Sequence, residues 1–145
     1  MEAELQKYLH DRIPLSRAMQ VRVVSVEESG VVLGAPLVPN INHRDTVFGG
    51  SASALAILAA WSLVYVRMRA EDIGAHLVIQ RNSMEYSRPI LGDFEARAFL
   101  ERPEQWQEFT RMLAGKGKAR IAVAATLECA AQVVGAFTGD FVALT

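Results

Sequence analysis

The sequence is poor in the residue types that mark several classes of function. Cys129 is its only cysteine, so the chain forms no internal disulfide and nothing in its cysteine content indicates an oxidising compartment. No pair of His or Cys residues has the spacing of metal ligands, and we expect no metal site. The formal net charge of −1 argues against the general basic field of a nucleic-acid-binding protein. Residues 1–10 are polar and acidic and do not form a signal peptide, so we expect a cytoplasmic protein.

Charge is also missing from a long apolar stretch in the middle of the chain. Residues 51–66 contain no charged residue, no Gly and no Pro, and their richness in Ala and Leu predicts a helix. A helix that is apolar nearly all round must be buried on most sides. A membrane span is the alternative for residues 47–66, since about twenty apolar residues can cross a bilayer. The flanking segments are amphipathic and need a core to cover, which favours a core helix and no membrane.

Alternating apolar and polar residues predict strands on both sides of this helix. Before it, the pattern indicates a short amphipathic helix over 2–11 and a hairpin of strands at about 18–27 and 31–35. After it, four strands are predicted over 75–87, 93–101, 119–129 and 133–144, with a surface helix that begins after Pro103 and a loop at 115–118. Consecutive strands favour an antiparallel sheet, and the chain length fits one α+β domain.

The first of these late strands also carries a prediction about its two faces. Simple alternation places Leu77 and Ile79 on one face and Val78, Met84 and Tyr86 on the other. One face is expected to cover the central helix and the other to face away from it.

Four motifs along the chain match those of a known family. They are Pro39-Asn40-Ile41-Asn42, then Thr46-Val47-Phe48-Gly49-Gly50-Ser51, then Trp61 within the helix, then Tyr86-Ser87-Arg88-Pro89-Ile90. With them the chain resembles the hotdog-fold, thioesterase-like domain that also forms the C-terminal part of YiiD-type acetyltransferases. The resemblance implies a single hotdog domain over 1–145, with a curved antiparallel sheet wrapped around one long central helix. It also implies a homodimer, or a dimer of dimers, with the acyl site between subunits.

The loop before the helix is also similar to that of the PaaI-like acyl-CoA thioesterases. Aligned on the glycines, Asn42 matches their Asn, Phe48 their His, and Gly49-Gly50 their glycine pair. In such enzymes the N–H of the first glycine polarises the thioester carbonyl, and a carboxylate two turns into the helix acts as nucleophile or base. Ile57 occupies that position here, so this chain departs from the carboxylate mechanism.

The function implied by the resemblance is hydrolysis of an acyl thioester. Coenzyme A or acyl carrier protein would be part of the substrate, and no other cofactor is expected. The N–H groups of Gly49 and Gly50 would bind the carbonyl oxygen, as free donors at a helix N-terminus suit an oxyanion; alternatively, the glycines only allow a tight loop. Asn42 would position water or substrate, or else close an Asx-turn. Asp45 is a candidate general base, with helix capping as the alternative.

The predicted substrate-binding residues fall into two groups. Leu55, Leu58 and Trp61 along the helix are expected to meet the acyl tail. Phe48 and Ser53, at the start of the helix, are also predicted to be substrate-binding, with Ser53 orienting water. For Ser53, small size for helix packing is the alternative explanation. The second group, Lys116 and Lys118, belongs to a basic cluster that would attract the phosphates of coenzyme A, unless it is only a solvated strand end.

Two other functions remain open at this point. The missing helix carboxylate favours a module that binds acyl-CoA or acyl carrier protein without catalysis. A dehydratase or hydratase acting on acyl thioesters needs a His with an acid in the site, and Phe48 occupies the family's His position.

Overall fold

A six-stranded antiparallel sheet curves around one long helix in the computed structural model, which describes residues 1–145. The helices are α1 Glu2–Arg12, α2 Pro14–Ala18, α3 Gly49–Ala70 and α4 Gln105–Lys116, with a 3₁₀ turn at Val38–Asn40. The strands are β1 Arg22–Glu27, β2 Gly30–Ala35, β3 His76–Tyr86, β4 Phe94–Phe99, β5 Lys118–Cys129 and β6 Gln132–Leu144. They pair in the order β1-β2-β4-β5-β6-β3, and every pair is antiparallel. This is the α+β hotdog architecture that was predicted.

The central helix α3 forms the core of the molecule. It packs against β2, β4 and β5, and the side chains of Leu55 and Leu63 are fully buried. Fully buried alanines in the same helix, such as Ala52 and Ala56, let the sheet approach its backbone closely. By length and composition α3 could cross a membrane, with a mean hydropathy of 1.5, yet the surrounding sheet makes it a core helix. The prediction of a core helix is confirmed.

The inward faces of β4 and β5 follow the predicted alternation. Phe94, Ala96 and Ala98 of β4 are buried, as are Ile121 and Leu127 of β5. The hydrophobic effect therefore selects one face of each strand, because only that face has α3 to cover.

The surface helix α4 buries a single apolar stripe, as predicted. Trp106, Phe109 and Leu113 form that stripe and are each at most 5% exposed. The loop predicted at 115–118 is wrong in its bounds, because α4 continues to Lys116. Gly117 then ends the helix in a left-handed conformation with φ of 72°, which glycine adopts without steric cost.

Two local irregularities also differ from the predicted pattern. Pro14 ends α1 as expected but opens the short helix α2, so β1 begins at Arg22 rather than near residue 18. In β3 the pairing with β6 shifts register between Ile79 and Arg81. Because such a bulge moves all later side chains to the opposite face, Met84 packs on the core with Leu77, which corrects the predicted faces.

The two outer strands of the sheet are protected to different degrees. Along β1, the side-chain oxygens of Gln6 and Glu2 in α1 accept hydrogen bonds from the N–H groups of Val23 (2.9 Å) and Val26 (3.3 Å). β3 pairs with β6 on one side only, and most of its residues are exposed. An outer strand without cover favours pairing with a second chain, so β3 is the edge at which association is expected.

Candidate functional site

The N-terminus of α3 presents two backbone donors that the protein leaves without acceptors. Helix α3 begins at Gly49, directly after Phe48, and no side chain caps it. The N–H groups of Gly49 and Gly50 donate to no other group of the chain, because the first amides of a helix have no intrahelical acceptor. The helix dipole adds positive potential at this point, which suits a developing negative charge. The predicted position of both glycines at a helix N-terminus is confirmed.

A cavity of about 370 Å³ lies beside Gly49. Its lining includes three buried apolar residues, Val47, Ala52 and Ile90. The remaining lining residues, more exposed and mostly polar, come from the loop before α3 and from the end of β3: Thr46, Gly49, Tyr86, Ser87, Arg88 and Pro89. An apolar wall with a few polar groups near two free N–H donors is suited to an acyl group whose carbonyl lies at the rim.

The loop that carries Gly49 is anchored by buried backbone and amide contacts. The N–H of Val47 donates to the carbonyl of Ile90 at 2.9 Å, and the N–H of Phe48 donates to the carbonyl of Asn40 at 2.8 Å. Asn40 is 2% exposed, and its Nδ2 donates to the carbonyls of Met19 and Pro36. These bonds hold the entry to α3 in place relative to the 87–90 segment across the cavity.

Asn42 uses its whole amide within its own loop. Its Oδ1 accepts from the N–H groups of Arg44 (2.8 Å) and Thr46 (3.1 Å), which is an Asx-turn. Its Nδ2 donates to Thr46 Oγ1 (2.9 Å) and to the carbonyl of Val47 (3.4 Å). The hydrogen bonds of Asn42 therefore match the alternative in which it closes an Asx-turn. Asn42 shapes the site through its bonds to Thr46 and Val47.

Asp45 lies at the outer turn of the same loop. It is exposed, its φ is 63°, and its side chain makes no hydrogen bond. Because α3 has no side-chain cap, the capping alternative for Asp45 is not seen. The carboxylate precedes Gly49 by four residues and lies outside the cavity lining.

Phe48 lies over the second glycine. The phenyl ring is 56% exposed, and a Cβ added to Gly50 would come within 2.3 Å of its Cε2 atom. Gly50 therefore leaves room for Phe48, whereas a Cβ on Gly49 would make only ordinary contact, 3.5 Å from the Tyr86 hydroxyl. The site places an exposed aromatic ring directly beside the two free donors.

The open side of α3 differs from the side that was predicted to meet the acyl chain. Leu55 is fully buried in the core and Leu58 is 7% exposed, so neither offers a free surface in one chain. The half-buried stripe consists instead of Ser53, Ile57 and Trp61, spaced four residues apart. Ile57, which replaces the family carboxylate, thus faces the open side of the helix. Ser53 and Trp61 of the predicted set lie on this side, and the contacts of Leu55 and Leu58 with the acyl tail remain a prediction.

Lys116 and Lys118 are not part of this cavity. Lys118 pairs with Leu144, which also pairs with His76 at the start of β3, whereas Tyr86 at the end of β3 contacts Gly49. An eleven-residue strand spans about 33 Å. Within one chain, both lysines therefore lie at the far end of the sheet from the free donors.

Sequence reasoning missed the part of the site that β3 contributes. Tyr86 Oη donates to the Gly49 carbonyl at 2.9 Å, and Arg88 Nη1 donates to Gln132 Oε1 at 2.7 Å. Both residues belong to the fourth family motif, which was the available signal. The bond between Tyr86 and Gly49 is a tertiary contact over 37 residues, and local periodicity does not predict such contacts.

Comparisons with known proteins agree with this fold. The family model described as "Putative thioesterase (yiiD_Cterm)" matches residues 2–145. A protein of unknown function from Chlorobaculum tepidum TLS is 29% identical with a TM-score of 0.94, over 99% of this chain and 94% of that one. A structure described as the putative thioesterase from Shewanella oneidensis is 23% identical with a TM-score of 0.85, over 99% and 97%.

A more distant likeness links the chain to the second family noted from the sequence. A mutant form of the phenylacetic acid degradation protein PaaI from Thermus thermophilus is 20% identical with a TM-score of 0.63, over 91% of this chain and 99% of that one. At this identity the likeness concerns the fold alone. The family match over nearly the whole chain shows more: this protein belongs to the YiiD C-terminal family of thioesterase-like hotdog proteins.

Proposed function

We propose that this protein hydrolyses an acyl thioester carried on coenzyme A or acyl carrier protein. The observation that carries the proposal is the pair of free N–H groups of Gly49 and Gly50 at the start of α3, where Gly49 lines the 370 Å³ cavity, in a chain of a thioesterase-like family. The thiol carrier belongs to the substrate, and the proposal needs no separate cofactor. A cytoplasmic location completes it and rests on the single free cysteine, Cys129.

In the proposed reaction, water adds to the thioester carbonyl carbon and the C–S bond then breaks. Negative charge develops on the carbonyl oxygen, where Gly49 N–H, with Gly50 N–H beside it, stabilises it. A preorganised donor of this kind contributes about 3 kcal/mol to a transition state. The proton lost by water needs a base, for which we propose the exposed carboxylate of Asp45. Because Asp45 lies outside the cavity lining, a second water must relay the proton to it. The protonated base returns its proton to the departing sulfur, so the carrier leaves as a thiol, and the acyl group leaves as a carboxylic acid that ionises to the carboxylate.

The complete site is proposed to form between two chains. β3 is the uncovered edge of the sheet, and the open side of α3 carries the half-buried Ile57 and Trp61 together with the exposed ring of Phe48. A second copy paired through β3 would cover these apolar surfaces and enclose the acyl group. We therefore propose a homodimer, or a dimer of dimers, as the active form, and any contact of Lys116 or Lys118 with substrate would come from the partner.

The experiment is thiol release from a panel of acyl-CoAs of short, long and aryl type, repeated with acyl carrier protein thioesters. The test variant is Gly49→Ala, whose methyl group would point toward the Tyr86 hydroxyl at 3.5 Å without a clash. We expect this variant to fold and to narrow the approach to the Gly49 N–H, so that turnover falls at least about tenfold. Gly115→Ala in α4 is the matched control, because a Cβ there meets nothing within 4 Å.

The proposal fails if no thioester of either carrier is hydrolysed above background, or if Gly49→Ala turns over as fast as Gly115→Ala. Unchanged thermal stability of both variants would show that any lost turnover belongs to the site rather than to the fold.

A binding module without catalysis is the second candidate. Ile57 stands where the related thioesterases carry a carboxylate, and no Asp, Glu or His lines the cavity. Thermal stabilisation by one acyl-CoA without any thiol release would favour this function over hydrolysis.

A further inference from the structure

Tyr86 is the cavity residue whose side chain bonds directly to the first turn of α3. Its hydroxyl donates to the carbonyl oxygen of Gly49 at 2.9 Å, although the residue is 53% exposed. Tyr86 is the last residue of β3, and Gly49 is the first residue of α3. The hydroxyl therefore joins the edge strand to the point at which the free donors begin.

The carbonyl of Gly49 and the N–H of Gly50 belong to the same peptide group. A hydrogen bond accepted by a carbonyl polarises its peptide and makes the N–H on the other side a stronger donor. The preceding peptide is polarised in the same way, since the Phe48 carbonyl accepts from the N–H groups of Ser51 (2.9 Å) and Ala52 (3.1 Å). The helix thus reinforces both donors, because the Gly49 carbonyl also accepts the intrahelical bond from the N–H of Ser53. The Tyr86 hydroxyl adds a second bond to that carbonyl and so strengthens the Gly50 donor further.

The same peptide is held from a second direction. The ring of Phe48 lies against Gly50, close enough that a Cβ on Gly50 would overlap it. The 49–50 peptide has little freedom to rotate, because the Tyr86 hydroxyl bonds to the Gly49 carbonyl and the Phe48 ring packs beside the Cα of Gly50. A donor that is already oriented costs no reorganisation when charge develops.

We propose that Tyr86 is a positioning residue that holds and polarises the 49–50 peptide, so that Gly50 N–H serves as a second donor to the substrate oxygen. The inference rests on the proposed hydrolysis, and Tyr86 acts through Gly50 rather than on the reacting atoms. A purely structural tyrosine would join β3 to α3 without changing the strength of the Gly50 donor.

The test compares Tyr86→Phe with Tyr65→Phe. Tyr65 is a half-buried tyrosine whose hydroxyl accepts from Arg69 Nη1 at 3.2 Å, so each variant loses one hydroxyl and one hydrogen bond. For Tyr86→Phe we expect kcat to fall about tenfold at unchanged KM. The loss is smaller than the hundredfold or more typical of removing a whole oxyanion donor, because the Gly50 N–H remains. Tyr65→Phe is expected to keep the wild-type kcat.

A second readout does not depend on turnover. The amide ¹H and ¹⁵N resonances of Gly50 should shift in Tyr86→Phe, because the Gly49 carbonyl loses the bond from the tyrosine hydroxyl and keeps only its intrahelical bond. They should stay in place in Tyr65→Phe. An unchanged Gly50 resonance, or a kcat equal to that of wild type, would overturn the role of Tyr86. A loss of stability together with a raised KM, both larger than in Tyr65→Phe, would likewise overturn it in favour of a structural role.

The two readouts separate this inference from the proposed function. If the wild-type protein hydrolyses no thioester while the Gly50 resonance shifts as expected, the reaction is refuted and the polarised peptide is retained. If hydrolysis is found and the resonance does not move, the reaction stands and the role of Tyr86 is refuted.

Discussion

Asn42 accepts two backbone N–H bonds and donates two more within its loop, so its substitution tests structure and catalysis separately. We expect Asn42→Ala to lower the free energy of unfolding by about 2 kcal/mol, since it leaves the N–H groups of Arg44 and Thr46 without their partner. Urea unfolding measures the change. Asn82→Ala, at an exposed position of β3 with no side-chain bond, is the matched control and should be near neutral.

The opposite outcome for Asn42 would restore its predicted role. If Asn42→Ala unfolds at the same urea concentration as Asn82→Ala but loses turnover, then Asn42 positions water or substrate directly. Loss of both properties would show that Asn42 acts by shaping the loop that carries Gly49.

At the scale of elements, the docking of α1 on β1 is expected to depend on pH. The pKa of the Glu2 carboxylate is lowered below its ordinary value of 4.5 by a hydrogen bond from the backbone N–H of Glu2 itself and, to a lesser extent, by one from the N–H of Val26. The stability that this carboxylate contributes is therefore present above about pH 4.5 and is lost as the pH falls through the lower folded value. We expect Glu2→Gln to reduce the loss of stability between about pH 5 and pH 3, measured by urea unfolding.

Glu4→Gln provides the control for that measurement. It removes the same charge from the same helix turn, but Glu4 pairs with the N-terminal amine at 3.6 Å and bonds to no residue of β1. If both variants show the same pH dependence, the contact between Glu2 and Val26 does not link α1 to β1.

Elements also show where sequence reasoning succeeds and where it stops. Alternation predicts the buried faces of β4 and β5, because each strand has one face on α3, and the one register shift of β5, between Leu127 and Glu128, comes after its buried face ends. Alternation fails in β3, where no sequence signal indicates the register shift near Gln80, because the surrounding residues are neither Gly nor Pro. A bulge is set by pairing with β6, so it is a property of two strands and not of one.

For the whole molecule, the same limit explains which parts of the site were predicted. Gly49 and Gly50 were placed at a helix N-terminus because helix formers follow directly after them in the sequence. Tyr86 was missed as a site residue, and Lys116 was assigned to a site that lies about 30 Å from it. The distance of each residue from Gly49 depends on how β3 packs along α3, which the sequence does not show. Local sequence patterns predict helices and strands, whereas the residues that line a cavity depend on how those helices and strands pack together.

Because the edge of β3 is uncovered, we predict that the protein is a dimer of two 15.9 kDa chains or a larger assembly with an even number of chains. The N–H groups of successive residues in β3 point alternately toward β6 and toward the free edge. Proline removes the N–H of the residue it replaces, so one of the variants Asn82→Pro and Ser83→Pro loses a bond to β6, and the other, the edge variant, loses only a donor on the free edge. The edge variant should keep its fold but sediment as a monomer and lose turnover, because the acyl site is open without the partner. If both variants remain dimeric, the chains associate through another surface. If a folded monomer retains full turnover, one chain contains the complete site.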